Sequence, residues 1–396
     1  MLATTSKEAE FLASELLASE LLAGLVGFDT TSAKSNLALI DFVRTYLEAE
    51  GVTPTLVPSA DGAKAALFAT IGPLGKGGIG LSSHSDCVPV EGQSWSSDPF
   101  SLTLRDGKLY GRGTCDMKGF LACVLASVPR FLARPLAEPI HIIISYDEEV
   151  GCLGIRPLIA RMGQDLPRPR AIIVGEPSGM EVIDAHKRID AYGTMVTGRE
   201  AHSSMPQLGV NAIAIAAELI VELERIGAQL GSKESDPRFD PPVSTVQVGT
   251  IKGGTAANIV PKHASFQWQV RSLPSAAPET VASRLASFAA NALLPRMRQV
   301  APQASIDTLH VNAVPAFQAS AGSEAVTLAL ALTGASGTRA VSYGTEAGLF
   351  EARGCSTVIC GPGHVAQAHV ADEFVTTAQL QACVGFLAKL ADHASA

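Results

Sequence analysis

Histidine and acidic residues occur at several places where an apolar run of the sequence ends. The mostly apolar run HIIISY leads into three consecutive acids, Asp147 to Glu149. Burying such charge is unfavourable unless cations compensate it. Mixed imidazole and carboxylate ligands suit zinc, with cobalt or manganese as possible substitutes. The residues of this kind, at strand ends or in a glycine-rich turn, are His84, Asp86, Asp116, Glu148, Glu149, Glu176 and His369.

The elements that must position these residues follow an alternating pattern. Helical spacing of apolar residues alternates with short β-rich runs, which predicts an α/β fold with a layered, mostly parallel sheet. Ligands of such sheets collect beyond the carboxyl ends of the strands, so we expect the residues above to share one crevice. The pattern predicts helices over 9–26, 35–50, 119–133 and 153–162, and strands over 65–71, 78–83, 102–110, 140–146 and 171–174.

The pattern changes after His186. The order of elements then becomes β-α-β-β-α-β, which predicts a smaller split-βαβ, ferredoxin-like domain. The α/β pattern resumes after about Val314. We therefore predict that residues 187–313 are inserted into a catalytic domain made of residues 1–186 and 314–396.

Composition excludes several classes of protein. The chain has 396 residues, 47% hydrophobic and 17% charged, which indicates a well-packed globular protein of two domains. A net charge of −8 argues against nucleic acid as a partner, and no apolar run is long enough for a membrane span. The seven cysteines form no CxxC pair and the N-terminus shows no signal-peptide pattern. These features predict a cytoplasmic protein with reduced cysteines that act as small apolar side chains.

The sequence resembles the peptidase M20 family of dinuclear amidohydrolases. Seven segments match in the family's order, from about residue 80 to residue 375: HSDCVPV, GRGTCDMKG, DEEVG, GEPSG, REAHSSMP, AANIVP and GPGHVAQAHVADEF. The resemblance implies a hydrolase with two metal ions, for which we expect zinc. It assigns His84 and Glu176 to one ion, Glu149 and His369 to the other, and Asp116 as the bridge between them.

The resemblance also assigns roles around the metal ligands. It implies that Asp86 orients His84, and that Glu148 is the general base for the attacking water. Side chains of neighbouring strand residues point to opposite faces, which independently suggests different roles for Glu148 and Glu149. His364 is an alternative to His369 as ligand, but the pattern AH-x-x-DEF favours His369.

The smaller domain carries three further matches. In the family, the histidine matching His202 reaches the active site of the partner subunit, which implies a homodimer formed through the inserted domain. Asn258 and Arg271 match positions that contact the carboxylate of the substrate, and a planar guanidinium suits that anion.

The segment SYGTEAGLFEARGC is most similar to the acetylornithine deacetylase branch of the family. This similarity implies hydrolysis of N2-acetyl-L-ornithine to L-ornithine and acetate, a step of arginine biosynthesis, with Glu346 pairing with the δ-ammonium group. The alternatives are acetylcitrulline deacetylase, succinyl-diaminopimelate desuccinylase and dipeptidase activity. A metal-binding dimer without catalysis is a further alternative, against which the intact Glu148 and His202 count.

Overall fold

The computed structural model describes residues 6–75, 77–276 and 279–395. The chain forms two compact units, each with its own apolar core. The first consists of Met1–Asp184, Gln318–Arg339 and Thr345–Ala396, and the second of Ala185–Phe317 and Ala340–Gly344.

The division between the units differs slightly from the predicted domain ranges. The chain enters the second unit after Asp184, where the sequence pattern placed the boundary at residue 186, and leaves it after Phe317 instead of residue 313. The short segment Ala340–Gly344 also belongs to the second unit. Such a segment is too short to carry a periodic pattern, so periodicity alone assigned it to the surrounding range.

The helices and strands are numbered in chain order. The helices are α1 (Ser6–Val26), α2 (Leu37–Ala49), α3 (Lys118–Ala126), α4 (Val128–Leu132), α5 (Ile155–Arg161), α6 (Ala212–Gly231), α7 (Glu279–Phe288), α8 (Leu294–Val300), α9 (Glu324–Thr333), α10 (Ala347–Ala352) and α11 (Thr377–Ala394). The strands are β1 (Thr55–Pro58), β2 (Ala65–Ile71), β3 (Ile79–His84), β4 (Thr103–Arg105), β5 (Lys108–Tyr110), β6 (Ile140–Ser145), β7 (Ala171–Val174), β8 (Ile183–His186), β9 (Arg188–Thr197), β10 (Thr245–Gly253), β11 (His263–Ser272), β12 (Ser305–Val314), β13 (Phe317–Gln318), β14 (Arg339–Val341), β15 (Ser356–Ile359) and β16 (Phe374–Thr376).

The larger sheet has the strand order β1-β2-β6-β3-β7-β15-β8-β13, with β14 also paired to β8. Its centre is parallel, because β3 pairs in parallel with β6 and β7, and β7 with β15. Every residue of β3, β6 and β7 is buried, which explains why β7 and most of β6 are apolar. The prediction of an α/β fold is confirmed, and the sheet is rich in parallel strands, although β1 with β2, β2 with β6, and β15 with β8 pair antiparallel.

Two predicted elements of the first unit are each divided. The strand predicted over 102–110 is the hairpin of β4 and β5, because Asp106 and Gly107 take φ values of 48° and 71° and reverse the chain. The helix predicted over 119–133 is interrupted between α3 and α4. Pro129, which has no backbone N–H, stands in the first turn of α4, where that N–H is not needed.

The second unit contains an antiparallel sheet in the order β10-β11-β9-β12. Numbered within the unit, this order is 2-3-1-4, which is the split-βαβ, ferredoxin-like arrangement that the sequence predicts. Alternate residues of β11 are buried and pack in one cluster with apolar residues of α6 and α7. Those residues of β11 are Ala264, Phe266, Trp268 and Val270.

The core of the first unit joins α1, α3 and α11 to the larger sheet. Leu22, Leu121 and Leu387, one from each helix, are fully buried in one cluster with Leu81 of β3 and Ile142 of β6. These contacts hold the central strands in place and so fix the position of their carboxyl ends. Within the described residues, each helix is too short or too polar to cross a lipid bilayer.

Candidate metal centre and active site

Adjacent parallel strands bring acids and a histidine to one edge of the larger sheet. β3 ends at His84, β6 is followed shortly by Glu148 and Glu149, and β7 is followed by Glu176. Because β6, β3 and β7 are parallel neighbours, their carboxyl ends lie side by side. The side chains that follow these ends therefore meet at one place, although they come from distant parts of the sequence.

Two loops add the remaining groups. Asp116 lies in the turn before α3, where Gly113 takes a φ of 83° that a residue with a side chain rarely adopts. His369 lies in the loop between β15 and β16 and has a φ of 62°. His364, the alternative ligand, is exposed, and its Nδ1 accepts a hydrogen bond from the backbone N–H of Ala366. The structure thus brings His369 to the acids.

Asp116 lies between the two histidines. Its Oδ1 is 2.9 Å from Nε2 of His84, and its Oδ2 is 3.2 Å from Nε2 of His369. Nε2 of His84 is also 3.7 Å from Glu176 Oε1, and Nε2 of His369 is 3.2 Å from Glu149 Oε1. One carboxylate oxygen therefore faces each half of the cluster, which is the arrangement a bridging ligand requires.

These groups alter one another's protonation. Burial alone would raise the pKa of Asp116, but hydrogen bonds from His369 and His84 lower it below its usual range. Hydrogen bonds to Asp116 and Glu149 raise the pKa of His369 to about 10. Burial, followed by the negative charge of Asp116, raises the pKa of Glu149 to about 7. The protonation of each of these groups therefore depends on that of its neighbours.

The donor set fits divalent metal ions. Ligand atoms of His84, Asp116 and Glu149 lie within 4.8 Å of one another, and so do those of His84, Glu148 and Glu176. Burial raises the pKa of both Glu148 and Glu176 well above the ordinary value, and the negative charge of neighbouring carboxylates raises it further. A divalent cation would stabilise the ionised form of these carboxylates, and imidazole with carboxylate oxygen is a donor set typical of zinc.

Glu148 and Glu149 face different neighbours. Glu149 lies against His369, whereas Glu148 lies near Glu176 and accepts a hydrogen bond from the thiol of Cys152 at 3.3 Å. β6 ends before either glutamate, so the turn, and not the alternation of faces along a strand, separates their directions. The two neighbouring carboxylates are therefore available for separate roles.

Asp86 forms hydrogen bonds with neighbouring residues of the site. The Nδ1–H of His84 donates to the main-chain oxygen of Asp86 at 2.9 Å, while the nearer carboxylate oxygen is 3.6 Å away. This bond leaves Nε2 of His84 directed at the cluster. The carboxylate of Asp86 instead accepts from the backbone N–H groups of Glu148 and Glu149, at 3.2 and 3.3 Å, and from Oγ of Ser32 at 2.7 Å. Asp86 thus positions both the histidine and the two glutamates.

Glu346 lies at the N-terminal end of α10 and is only 2% exposed. Oγ of Ser82 donates to its Oε2 at 3.5 Å, and Oε1 finds no hydrogen-bond partner among the described residues. Burial raises the pKa of Glu346 to about 7, although a hydrogen bond from Ser145 opposes the shift. A buried carboxylate with an unpaired oxygen is able to accept a cationic or donor group.

Three of the predicted residues lie in the second unit. His202 and Asn258 are exposed, and their segments are joined by a hydrogen bond from the backbone N–H of Ser203 to the main-chain oxygen of Asn258 at 3.0 Å. Nδ1 of His202 accepts from the backbone N–H of Ser204, so Nε2 is the nitrogen that can donate. Arg271, on β11, donates to the main-chain oxygen of Ser342 at 3.1 Å, and burial lowers its pKa.

Sequence reasoning missed several supporting residues. Cys152 was expected to act only as a small apolar side chain, but its thiol contacts Glu148. Lys64 pairs with Asp147, the third acid of the DEE run, and also donates to the main-chain oxygen of Ser32. Glu373 lies in the segment VADEF, and no sequence pattern predicts a role for it. Only the fold shows that it lies beside a glycine-rich turn that is distant in the sequence.

The chain is similar to known proteins in sequence and in fold. The chain is 34% identical to an acetylornithine deacetylase of Myxococcus xanthus over 383 residues, which are 94% of this chain and 96% of that protein. A metallo-carboxypeptidase from Sulfolobus solfataricus has a similar fold, with a TM-score of 0.74, 18% identity, and coverage of 94% of this chain and 98% of its own. A dinuclear metal-binding peptidase from Bacillus subtilis has a TM-score of 0.64, 15% identity, and coverage of 98% of this chain and 99% of its own. The sequence profile of Peptidase family M20/M25/M40 matches residues 80–393, and the chain belongs to this family of metal-dependent peptidases and amidohydrolases.

Proposed function

We propose that the protein hydrolyses the N-acyl amide of an N-acetyl amino acid, N2-acetyl-L-ornithine, with two bound zinc ions. The observation that carries the proposal is the position of Asp116, which directs one carboxylate oxygen to His84 and the other to His369. His84 and Glu176 would hold one ion, Glu149 and His369 the other, and Asp116 would bridge them. Cobalt or manganese are possible replacements, since they accept the same ligands.

The protein's own residues supply the proton transfers. When bound, the two ions acidify the attacking water and polarise the acyl carbonyl. Glu148 accepts the proton of that water and later gives it to the departing amine. Its position supports this role, because Glu148 is 9% exposed and reaches the same cluster as His84 and Glu176. Asp86 holds the backbone of Glu148 in place.

The second unit would complete the substrate site. We propose a homodimer formed through this unit, in which His202 helps to stabilise the oxyanion in the active site of the partner subunit. Asn258 and Arg271 would contact the substrate carboxylate. Support comes from the exposure of His202 and Asn258, whose segments are hydrogen-bonded to each other. We further propose that the enzyme works in the cytoplasm, in arginine biosynthesis.

The choice of acetylornithine rests on two supports. Curated relatives that are 34% identical over most of the chain are named acetylornithine deacetylase. Glu346 supplies a buried carboxylate whose unpaired oxygen suits an ammonium group. The burial of Glu346, which is 2% exposed, favours a second candidate. Burial disfavours the charged form of this carboxyl group, and a substrate with a neutral side chain, such as acetylcitrulline, needs no counter-charge there.

A release assay on the purified protein tests the proposal. N-acetylornithine, N-acetylcitrulline, N-succinyl-diaminopimelate and dipeptides are compared with zinc or cobalt supplied, before and after exhaustive chelation. We expect the highest kcat/KM for N-acetylornithine, loss of activity on chelation, and recovery when metal is returned. If another compound has a higher kcat/KM, that compound replaces acetylornithine as the proposed substrate. Full activity in protein shown to be metal-free rejects the metal-dependent mechanism, and a metal-loaded protein without activity on the whole panel favours a non-catalytic binding protein.

A further inference from the structure

Glu373 is a fully buried carboxylate that the proposed reaction does not use. Its Oε1 accepts hydrogen bonds from the backbone N–H groups of Cys115, at 2.9 Å, and Asp116, at 3.1 Å. Its Oε2 accepts from Nη1 of Arg112 at 2.6 Å, and Arg112 is buried as well. Both oxygens therefore bind the turn that carries Asp116.

Glu373 also belongs to the segment that carries His369. It directly precedes β16, which pairs with β5, and its main-chain oxygen accepts from the backbone N–H of Gly111 at 3.0 Å. Gln93 adds a second connection. Its Nε2 donates to the main-chain oxygen of His369 at 3.0 Å, and its Oε1 accepts from Nη2 of Arg112 at 2.5 Å. The two loops are thus joined by side-chain and main-chain contacts that meet at Arg112 and Glu373.

Stability alone does not explain this buried ion pair. Removing two charges from water is unfavourable, and well-packed apolar side chains in place of a buried pair often stabilise a protein as much or more. The charged pair instead fixes the position of the turn that carries Asp116. The turn before Asp116 is rich in glycine and has few side chains to fix it, so the hydrogen bonds to Glu373 determine where the backbone of Asp116 lies.

We propose that Glu373 is a positioning residue that holds the loops of Asp116 and His369 in register, so that the two oxygens of Asp116 reach both halves of the metal centre. This inference rests on the proposed dinuclear site. It assigns Glu373 no contact with substrate. Its effect passes through the backbone amides of Cys115 and Asp116, and partners of this kind commonly change metal affinity by about 10- to 100-fold when they are replaced.

The Glu373→Gln variant tests the proposal. Glutamine has one oxygen where glutamate has two, so it cannot accept from both backbone amides and from Arg112 at once. The matched control is Val43→Ala, which removes buried apolar volume from α2, far along the chain from both loops. Metal affinity is measured by titrating each metal-free protein with cobalt(II) and zinc(II) against a competing chelator, and Tm is measured on the same samples.

We expect Glu373→Gln to bind metal at least about tenfold more weakly than wild type, with a lower kcat at saturating metal and a nearly unchanged KM. Val43→Ala should lower Tm but keep wild-type metal affinity. Equal metal affinity in wild type and Glu373→Gln would show that Glu373 is only a structural residue. If Glu373→Gln does not fold, Glu373→Asp keeps the charge but shortens the reach, and wild-type metal affinity in that variant overturns the proposal. Failure of the proposed function is seen separately, because wild type itself would then bind no pair of metal ions.

Discussion

The thiol of Cys152, which is itself buried, donates a hydrogen bond to Oε1 of Glu148 across 3.3 Å, in the turn that directly follows the two glutamates. The turn is closed by backbone hydrogen bonds from Gly151 and Cys152 to the main-chain oxygen of Glu148, at 2.8 and 2.9 Å. Cys152 takes a φ of 54°, which directs its side chain back towards the carboxylate. One oxygen of the proposed general base is therefore held, and the other is left for proton transfer.

This contact predicts a graded effect of substitution at Cys152. A hydrogen bond of this kind contributes about 0.5–1.5 kcal/mol, so Cys152→Ala should lower kcat by about 2- to 10-fold with little change in KM or metal content. Cys152→Ser keeps a donor and should stay close to wild type. Steady-state kinetics on metal-loaded protein provides the measurement, with Cys355→Ala, another fully buried cysteine, as the control. Equal kcat in the alanine and serine variants would show that the hydrogen bond from the thiol has no role in catalysis.

The separate surroundings of Glu148 and Glu149 predict different losses. Glu148→Gln keeps the shape but removes the proton acceptor, so turnover should fall by about 10²- to 10⁴-fold while metal stays bound. Glu149→Gln should instead weaken metal binding, because Glu149 faces His369 and Asp116, the proposed bridging ligand. Metal analysis and single-turnover rates on both variants distinguish the two effects. Loss of metal from Glu148→Gln but not from Glu149→Gln would mean that the two roles are reversed.

Glu346 predicts a change in substrate selectivity. If its buried carboxylate pairs with the δ-ammonium of acetylornithine, Glu346→Gln should raise KM for that substrate more than for a neutral-tailed N-acetyl amino acid. The comparison uses acetylornithine and acetylcitrulline with the same enzyme preparation. Equal losses on both substrates would identify Glu346 as a support of the strand ends near Ser82 and Ser145, and not as a specificity residue.

The proposed dimer predicts that two inactive variants restore each other. Homodimers of Glu148→Ala and of His202→Ala should both be nearly inactive. Re-pairing equal amounts should yield mixed dimers in which one site combines an intact Glu148 with an intact His202. Random pairing makes half of the dimers mixed, so activity should return to about a quarter of wild type. No recovery, with mixed dimers demonstrated by differently tagged chains, excludes the role of His202 in the partner's site.

Local patterns predicted most of the elements that hold the site. The strand predicted over 65–71 has the bounds of β2, and the one over 171–174 has the bounds of β7. Buried strands such as β2 and β7 are recognisable because they consist of short apolar runs, and such a run depends only on neighbouring residues. The hairpin of β4 and β5 was missed because Asp106 and Gly107 were included in a β-rich run, although Asp-Gly is a strong turn signal.

Local patterns and motifs are enough to identify which histidines and acids of this protein follow strand ends. How these side chains meet depends on the fold. It directs the two oxygens of Asp116 to different histidines, and it joins Asp116 to Glu373 across 257 residues of chain. It also directs the carboxylate of Asp86 to the backbone of both glutamates, where the motif alone suggested His84. Such contacts depend on loop positions set by the packing of the whole unit, and sequence spacing does not encode those positions locally.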